Sequence, residues 1–234
     1  MNIRLYHPDS IVENSTNLLS KEHTHYVTNV MRLKRGSNVN FFNNEGEWES
    51  EIVFLDKDRV EVKFLKKVKE SQKKNKIELA VCLVKKNAME MILQKSTELG
   101  VSKIIPLISE RTEVKELNQD RAKKITIEAT EQSNQMFPPE ILEVTKLKDF
   151  LEKLDKKTKL LFADVNSKNN LRTEDIKNFE SLCILIGPEG DFSPLERQLI
   201  LSVSKVAPFS MSKNILRTET AVISAISLVN FINN

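Results

Sequence analysis

The pattern of hydrophobic and polar positions divides the chain near residue 75. Before this point, polar and apolar residues alternate in three short segments, and the turn-forming sequences "NNEG" and "DKD" separate them: "SNVNFFNN", "EWESEIVFL" and "RVEVKFL". A period of two is typical of strands that are buried on one face. Residues 1–70 are therefore predicted to form a small antiparallel β-barrel or sandwich.

One short helix is predicted ahead of these strands, in the segment "SKEHTHYVTNVMRL". Ser20 is its expected N-cap, and Glu22 and His23 lie in the expected first turn. After the strands, the polar and Lys-rich residues 71–76 are predicted to form a linker to a second domain.

Residues 77–234 have a different pattern, in which continuous apolar runs alternate with four segments of helical periodicity. The runs have the length of strands that are buried on both faces: "IELAVCLV", "KIIPLIS", "TKLLFADV", "SLCILIG" and "VAPFSMS". This alternation predicts an α/β domain with a mostly parallel sheet. Such sheets bind their ligands at the carboxyl ends of the strands.

Each of the four helices has a signal of its own. The first ends at Gly100, and the second has small or apolar residues at helical spacing from Ala122 to Met136. The third begins with Ser193 as N-cap, proline at the first helical position, and Glu196 where a capping box needs it. The last, "TAVISAISLVNFI", is apolar on nearly every side, which predicts a buried helix or an interface helix.

Composition places the chain among ordinary globular proteins, with 234 residues, 40% hydrophobic and 29% charged. No window approaches 18 uncharged apolar residues and no leader sequence is evident, so we expect a cytoplasmic protein without membrane contact. The net charge of +3 neither requires nor excludes a nucleic-acid partner. The basic runs "MRLKRG" and "KKVKESQKKNK" suit either phosphate contacts or a solvated surface.

The cysteines and histidines give no sign of a metal site or a disulfide. Cys82 and Cys183 lie in apolar runs, where a thiol usually behaves as a small hydrophobic group. The three histidines precede residue 30, and no spacing matches a zinc site. We therefore expect no metal.

The five glycines exclude two common nucleotide-binding loops, the GxxxxGK[ST] phosphate loop and the GxGxxG dinucleotide fingerprint. Two loops remain as candidate ligand sites, "GPEG" at 187–190 and "NILRTET" at 214–220. The first could equally be a plain strand-to-helix connection. The second could serve only to cap the helix that follows it.

Four segments, in this order and spacing, resemble the RsmE family of bacterial ribosomal RNA methyltransferases: "KNAMEMILQKSTELGVSKIIPLISERT", "EATEQSNQMFPPEI", "LIGPEGDFSPLE" and "ILRTETA". The resemblance covers nearly the whole chain. It implies a SPOUT-type domain with a C-terminal trefoil knot, preceded by a PUA-like β-barrel that binds RNA, in a homodimer. It also implies methylation of N3 of one uridine in 16S ribosomal RNA with S-adenosylmethionine as cofactor.

The resemblance also implies the residues of the site. The cofactor should be held by two loops, through Ile186, Gly187, Glu189, Gly190, Met211, Ile215, Leu216, Arg217, Thr218 and Ala221. Removing the N3 proton leaves charge on the base, which Arg217 would stabilise. Glu219 or Glu189 would accept the proton, although water could do so and Glu219 also suits the helix dipole. The RNA contacts expected in the first domain are Arg4, His25, Arg32, Lys34 and Arg35.

Three positions depart from the pattern of the family. Gln135 and Asn214 stand where the family usually has arginine, and Asp191 stands where it usually has glycine. Two arginines that could contact RNA near the site are therefore absent, whereas neither position belongs to the implied cofactor residues.

Two other functions remain open. One is a SPOUT methyltransferase with another RNA target, which the "EQS" and "ILRTETA" motifs disfavour. The other is a noncatalytic RNA-binding assembly factor, which would have no use for two intact cofactor loops. Binding of S-adenosylmethionine separates the enzymes from the binding protein.

Overall fold

The computed structural model describes residues 3–73, 75–177 and 179–233. The chain divides into two compact units. The first unit comprises Met1–Lys73 and Thr130–Phe137, and the second comprises Lys74–Ala129 and Pro138–Asn234. Lys74, which belongs to the predicted linker 71–76, lies outside the described residues.

The first unit contains a five-stranded sheet in the order β1-β3-β4-β5-β2. Its strands are β1 (Arg4–Tyr6), β2 (Thr16–Leu18), β3 (Asn38–Asn43), β4 (Gly46–Leu55) and β5 (Val60–Glu70). The three alternating segments of the sequence form β3, β4 and β5, as predicted. The expectation of a wholly antiparallel sheet is wrong at β1, which pairs in parallel with β3. With only three residues, β1 has no periodicity that a sequence pattern could reveal.

The core of the first unit lies on the apolar face of this sheet, where Phe41 and Phe64 meet edge to face at 5.7 Å. Helix α1 (Lys21–His25) starts at the predicted cap, because the Ser20 hydroxyl accepts a hydrogen bond from the backbone N–H of His23 at 3.1 Å. A π-helical turn, Tyr26–Val30, continues it. The predicted helix is confirmed, and its second half is wound more widely than an α-helix.

The second unit is built on a parallel sheet in the order β12-β10-β11-β6-β7-β8, with β9 also paired to β7. Its strands are β6 (Ile77–Cys82), β7 (Lys103–Ile108), β8 (Glu140–Ile141), β9 (Thr145–Lys146), β10 (Thr158–Ala163), β11 (Ser181–Ile186) and β12 (Val206–Phe209). Its helices are α2 (Lys86–Glu98), α3 (Gln119–Gln132), α4 (Leu147–Lys153), α5 (Pro194–Leu201) and α6 (Thr218–Asn233). The five predicted strands and four predicted helices are confirmed.

Helices cover both faces of the parallel sheet. Buried residues of α2, α3 and α6 pack with one face, and those of α4 and α5 pack with the other. Strands that are buried on both faces have continuous apolar sequences, which is the pattern that identified them. None of the helices in the described ranges is long and apolar enough to cross a membrane.

One helix end differs from the sequence prediction. Helix α3 stops at Gln132, although the helical spacing continues to Met136. Asn134 has a φ of 58°, which is left-handed and ends a right-handed helix. Met136 is nevertheless buried, in the first unit, so its apolar character reflects burial outside the helix.

Candidate functional site

A cavity of about 290 Å³ lies where three neighbouring parallel strands of the second unit end. The strands are β12, β10 and β11, and the residues that follow each of them line the cavity. We call it the loop cavity. Its position agrees with the expectation that a parallel sheet binds ligands at the carboxyl ends of its strands.

The two loops singled out in the sequence meet in this cavity. Nine of the ten predicted cofactor residues line it, namely Ile186, Gly187, Glu189, Gly190, Met211, Ile215, Leu216, Thr218 and Ala221. Thr218 links the loops, because its hydroxyl donates a hydrogen bond to the backbone oxygen of Gly187 at 3.5 Å. Asn214, one of the departures from the family pattern, also lines the cavity.

The tenth predicted residue, Arg217, lines a second cavity of about 670 Å³. We call this one the lysine cavity, because Lys85 and Lys86 from the start of α2 also line it. Glu219 lies here beside Arg217, and Glu189 lines both cavities. The two residues with predicted catalytic roles therefore lie together, next to the loop cavity.

The backbone conformation of the "GPEG" loop explains why particular residues occupy its positions. A Cβ atom at Gly187 would lie 3.1 Å from the ring of Phe192, which is tighter than ordinary packing. Asp191 has a φ of 58°, and its N–H donates to the oxygen of Pro188 at 3.0 Å. Glycine adopts this left-handed conformation most easily, and Asp is among the few other residues that tolerate it. Asp191 can therefore occupy the position at which the resembling family usually has glycine.

Sequence reasoning missed the carboxylate of Asp164, which follows β10 and lines the loop cavity. Its side chain is 1% exposed and forms an ion pair with Arg197 of α5, in which Nη2 lies 2.7 Å from Oδ2. The hydrogen bonds that Arg197 donates to this carboxylate raise the pKa of Arg197. A charged residue directly after an apolar strand of a parallel sheet is the signal that could have identified it.

Four of the five predicted RNA contacts, His25, Arg32, Lys34 and Arg35, are exposed on the first unit. Arg4 is different, because its side chain is 8% exposed and pairs with Glu47 at 3.1 Å. Its Nη2 also donates to the backbone oxygen of Gln135 at 3.3 Å. Within the first unit, Arg4 thus connects β1 to residues 130–137.

The two thiols are unsuited to nucleophilic chemistry. Cys82 and Cys183 are buried, and burial raises the pKa of Cys82 to about 11 and raises the pKa of Cys183 further. Both are thus protonated at neutral pH. Within the described ranges, His, Cys, Asp and Glu side chains form no group of three or more that could hold a metal ion.

Comparison with known proteins identifies the family. Residues 70–230 match the family described as the RNA methyltransferase domain, and residues 19–65 match the RNA methyltransferase PUA domain. A ribosomal RNA small subunit methyltransferase E from Rickettsia conorii is 34% identical, over 99% of this chain and 96% of its own length. The chain belongs to this methyltransferase E family. A member from Bacillus subtilis is 29% identical, over 94% of this chain and 92% of its own length.

Two solved methyltransferase structures have the same fold. A methyltransferase from Legionella pneumophila, in complex with bound SAM, superposes with a TM-score of 0.88 at 30% identity and covers 99% of this chain and 98% of its own. The ribosomal RNA small subunit methyltransferase E from Neisseria gonorrhoeae, bound to S-adenosyl methionine, gives a TM-score of 0.88 at 28% identity, with the same coverage. The chain thus has a SPOUT-type α/β fold with a PUA-like domain.

Proposed function

We propose that this protein methylates small-subunit ribosomal RNA at N3 of a uridine, with S-adenosylmethionine as methyl donor. The observation that carries the proposal is the loop cavity, in which the "GPEG" and "ILRTET" loops meet at the carboxyl edge of the parallel sheet. Family membership supports the reaction, and the binding of S-adenosylmethionine by related structures supports the cofactor. The assignment of N3 as the methylated atom rests on the resemblance of the sequence motifs to those of the RsmE family.

The residues of the loop cavity fit this cofactor. Ile186, Met211, Leu216 and Ala221 provide apolar walls for an adenine ring, and the backbone groups of the "GPEG" loop provide donors and acceptors beside them. The volume of about 290 Å³ is close to the lower end of the range for small-molecule sites, about 300–1,000 Å³. The ligand carries no phosphate, so the lack of a glycine-rich phosphate loop is no obstacle.

The chemistry of N3 of uridine, the atom that accepts the methyl group, determines what Arg217 and Glu219 must do. When bound, S-adenosylmethionine supplies an electrophilic methyl group, and S-adenosylhomocysteine remains once the N3–methyl bond has formed. N3 of uridine carries a proton and lies on the pairing edge, so the base must be unpaired when it reacts. We assign Glu219 to accept that proton and Arg217 to stabilise the charge that develops on the base oxygens.

The first unit is proposed to bind RNA outside the reacting nucleotide. His25, Arg32, Lys34 and Arg35 are exposed there, and an exposed basic side chain suits a phosphate contact. We propose functional domains at residues 1–70 and 77–234, joined by a linker at 71–76. The match of residues 19–65 to the RNA methyltransferase PUA domain supports this division.

Three finer features of the architecture are also proposals. We infer that the five strands of the first unit close into a barrel, as in PUA-like domains. A trefoil knot would be formed by residues 210–217 passing the 187–191 loop, which Thr218 contacts. A homodimer would cover the exposed side of α6, where Phe231 is 82% exposed.

Titration calorimetry with S-adenosylmethionine tests the proposed function. Ala221 lies on the first turn of α6 and lines the loop cavity, so Ala221→Leu should reduce the affinity at least tenfold without loss of folding. The matched control is Thr220→Leu, which adds the same side chain at an exposed neighbour. The absence of binding to the unaltered protein, or equal effects of the two variants, would contradict the proposal.

A further inference from the structure

The lysine cavity has a composition that the cofactor does not explain. Lys85, Lys86 and Arg217 bring three positive charges to it, against the two carboxylates of Glu189 and Glu219. All three cations are exposed. Its volume, about 670 Å³, is large enough for a nucleotide by the usual range for ligand sites, about 300–1,000 Å³.

The nucleotide that accepts the methyl group would also have to bind in the lysine cavity. Glu189 lines both cavities, so a ligand in one lies beside a ligand in the other. Transfer between two bound molecules requires the reacting atoms to approach to about 3–3.5 Å. An RNA base that enters the lysine cavity would have to reach the methyl donor beside Glu189, the residue that lines both cavities.

We propose that the lysine cavity binds the target nucleotide of a single-stranded RNA segment, and that Lys85 and Lys86 bind its flanking phosphate. This inference rests on the proposed function. In this assignment Arg217 and Glu219 contact the base, and the two lysines contact the backbone of the RNA; all four residues line the cavity. Met91, which is exposed on α2, offers an apolar contact to the base or the ribose.

Lysine suits the phosphate role better than the recognition of a planar base. Its ammonium is a compact point charge that attracts a phosphate from several directions, whereas guanidinium favours planar, bidentate partners. We therefore assign Arg217 to the planar base, and Lys85 and Lys86 to the phosphate. Since phosphate contacts carry no sequence information, the two lysines would strengthen binding of any RNA that presents an unpaired nucleotide.

The test is the salt dependence of 16S ribosomal RNA binding by the double variant Lys85→Ala/Lys86→Ala. Loss of two phosphate contacts to a single strand should reduce the slope of log K against log salt by about 1.4, at about 0.7 for each contact. Affinity at low salt should fall on the order of tenfold. Lys85→Arg/Lys86→Arg should retain the slope, and the control pair Lys148→Ala/Lys156→Ala removes two exposed lysines outside the cavity.

Calorimetry with S-adenosylhomocysteine decides the remaining alternative, in which the lysines hold the carboxylate of the cofactor. We expect the same affinity in the Lys85→Ala/Lys86→Ala variant as in the unaltered protein. A parallel loss of S-adenosylhomocysteine affinity would overturn the proposal, and so would an RNA slope equal to that of the control pair. Failure of the unaltered protein to bind S-adenosylhomocysteine would instead refute the proposed function itself.

Discussion

Arg217 is the residue on which the catalytic assignment depends most. It lines the lysine cavity and not the loop cavity, although the resemblance to the family implied a cofactor contact as well as the catalytic role. If it stabilises charge on the base, Arg217→Ala should lower the methyl-transfer rate on the order of 10²–10³-fold, with little change in cofactor affinity. Single-turnover kinetics beside a cofactor titration measure the two effects. Equal losses of rate and affinity would assign Arg217 to the cofactor pocket.

Glu219 has two possible roles that one variant separates. It lies in the first turn of α6, where a carboxylate also interacts favourably with the helix dipole. As the proton acceptor, Glu219→Gln should cause a large loss of rate that higher pH partly restores, because hydroxide can replace the missing acceptor. A rate-pH profile provides the measurement. Near-normal turnover of Glu219→Gln, with a modest loss of stability, would show that Glu219 acts only by interacting with the helix dipole.

At the scale of elements, the ion pair between Asp164 and Arg197 connects the end of β10 to α5. Because the Asp164 carboxylate is 1% exposed, removing Arg197 leaves a buried charge that retains the backbone N–H of Asn166, at 3.0 Å, but loses its counter-charge. We expect Arg197→Ala to lower the free energy of unfolding by about 3 kcal/mol and to weaken cofactor binding, since Asp164 lines the loop cavity. Denaturant unfolding and calorimetry measure both effects.

The double variant Asp164→Asn/Arg197→Ala serves as the control, because it removes the charge together with its partner. It should recover much of the stability lost in Arg197→Ala. If both variants are equally unstable, the packing of the arginine stem and not the ion pair links the two elements.

The sequence predicted the elements whose physical signals are local. The apolar runs located the five long parallel strands, and the Ser193–Glu196 capping box located the start of α5, where both reciprocal hydrogen bonds are present. The short strands β1, β2, β8 and β9 escaped prediction because two or three residues cannot show a period. Helix α4 was also missed, and it has only seven residues.

The sequence indicated which two loops form the site, but it did not show how their residues divide between the two cavities. The resemblance to the family indicated nine residues that line one cavity, but it could not show that Arg217 lies in the next one. It also missed Asp164, whose partner Arg197 is 33 residues away. Arg4 shows the same limit, because its position near the N-terminus does not reveal its buried partner Glu47.

For the whole molecule, the prediction concerns assembly. Phe231 is 82% exposed on α6, the helix whose sequence is apolar on nearly every side. If this side of α6 forms a dimer interface, Phe231→Glu should shift the protein from dimer to monomer in sedimentation velocity at micromolar concentration. Leu195→Glu is the control, since Leu195 is exposed on α5. A monomeric unaltered protein, or the same shift in both variants, would contradict the interface.

The central claim is that this chain methylates N3 of a uridine in small-subunit ribosomal RNA. The most direct measurement is mass-spectrometric mapping of 16S ribosomal RNA from cells with and without the protein, followed by restoration with the purified protein and S-adenosylmethionine. We predict that one N3-methyluridine disappears without the protein and returns with it. An unchanged 16S methylation pattern, or the loss of a ribose 2′-O-methyl or a transfer RNA methyl group instead, would contradict the account.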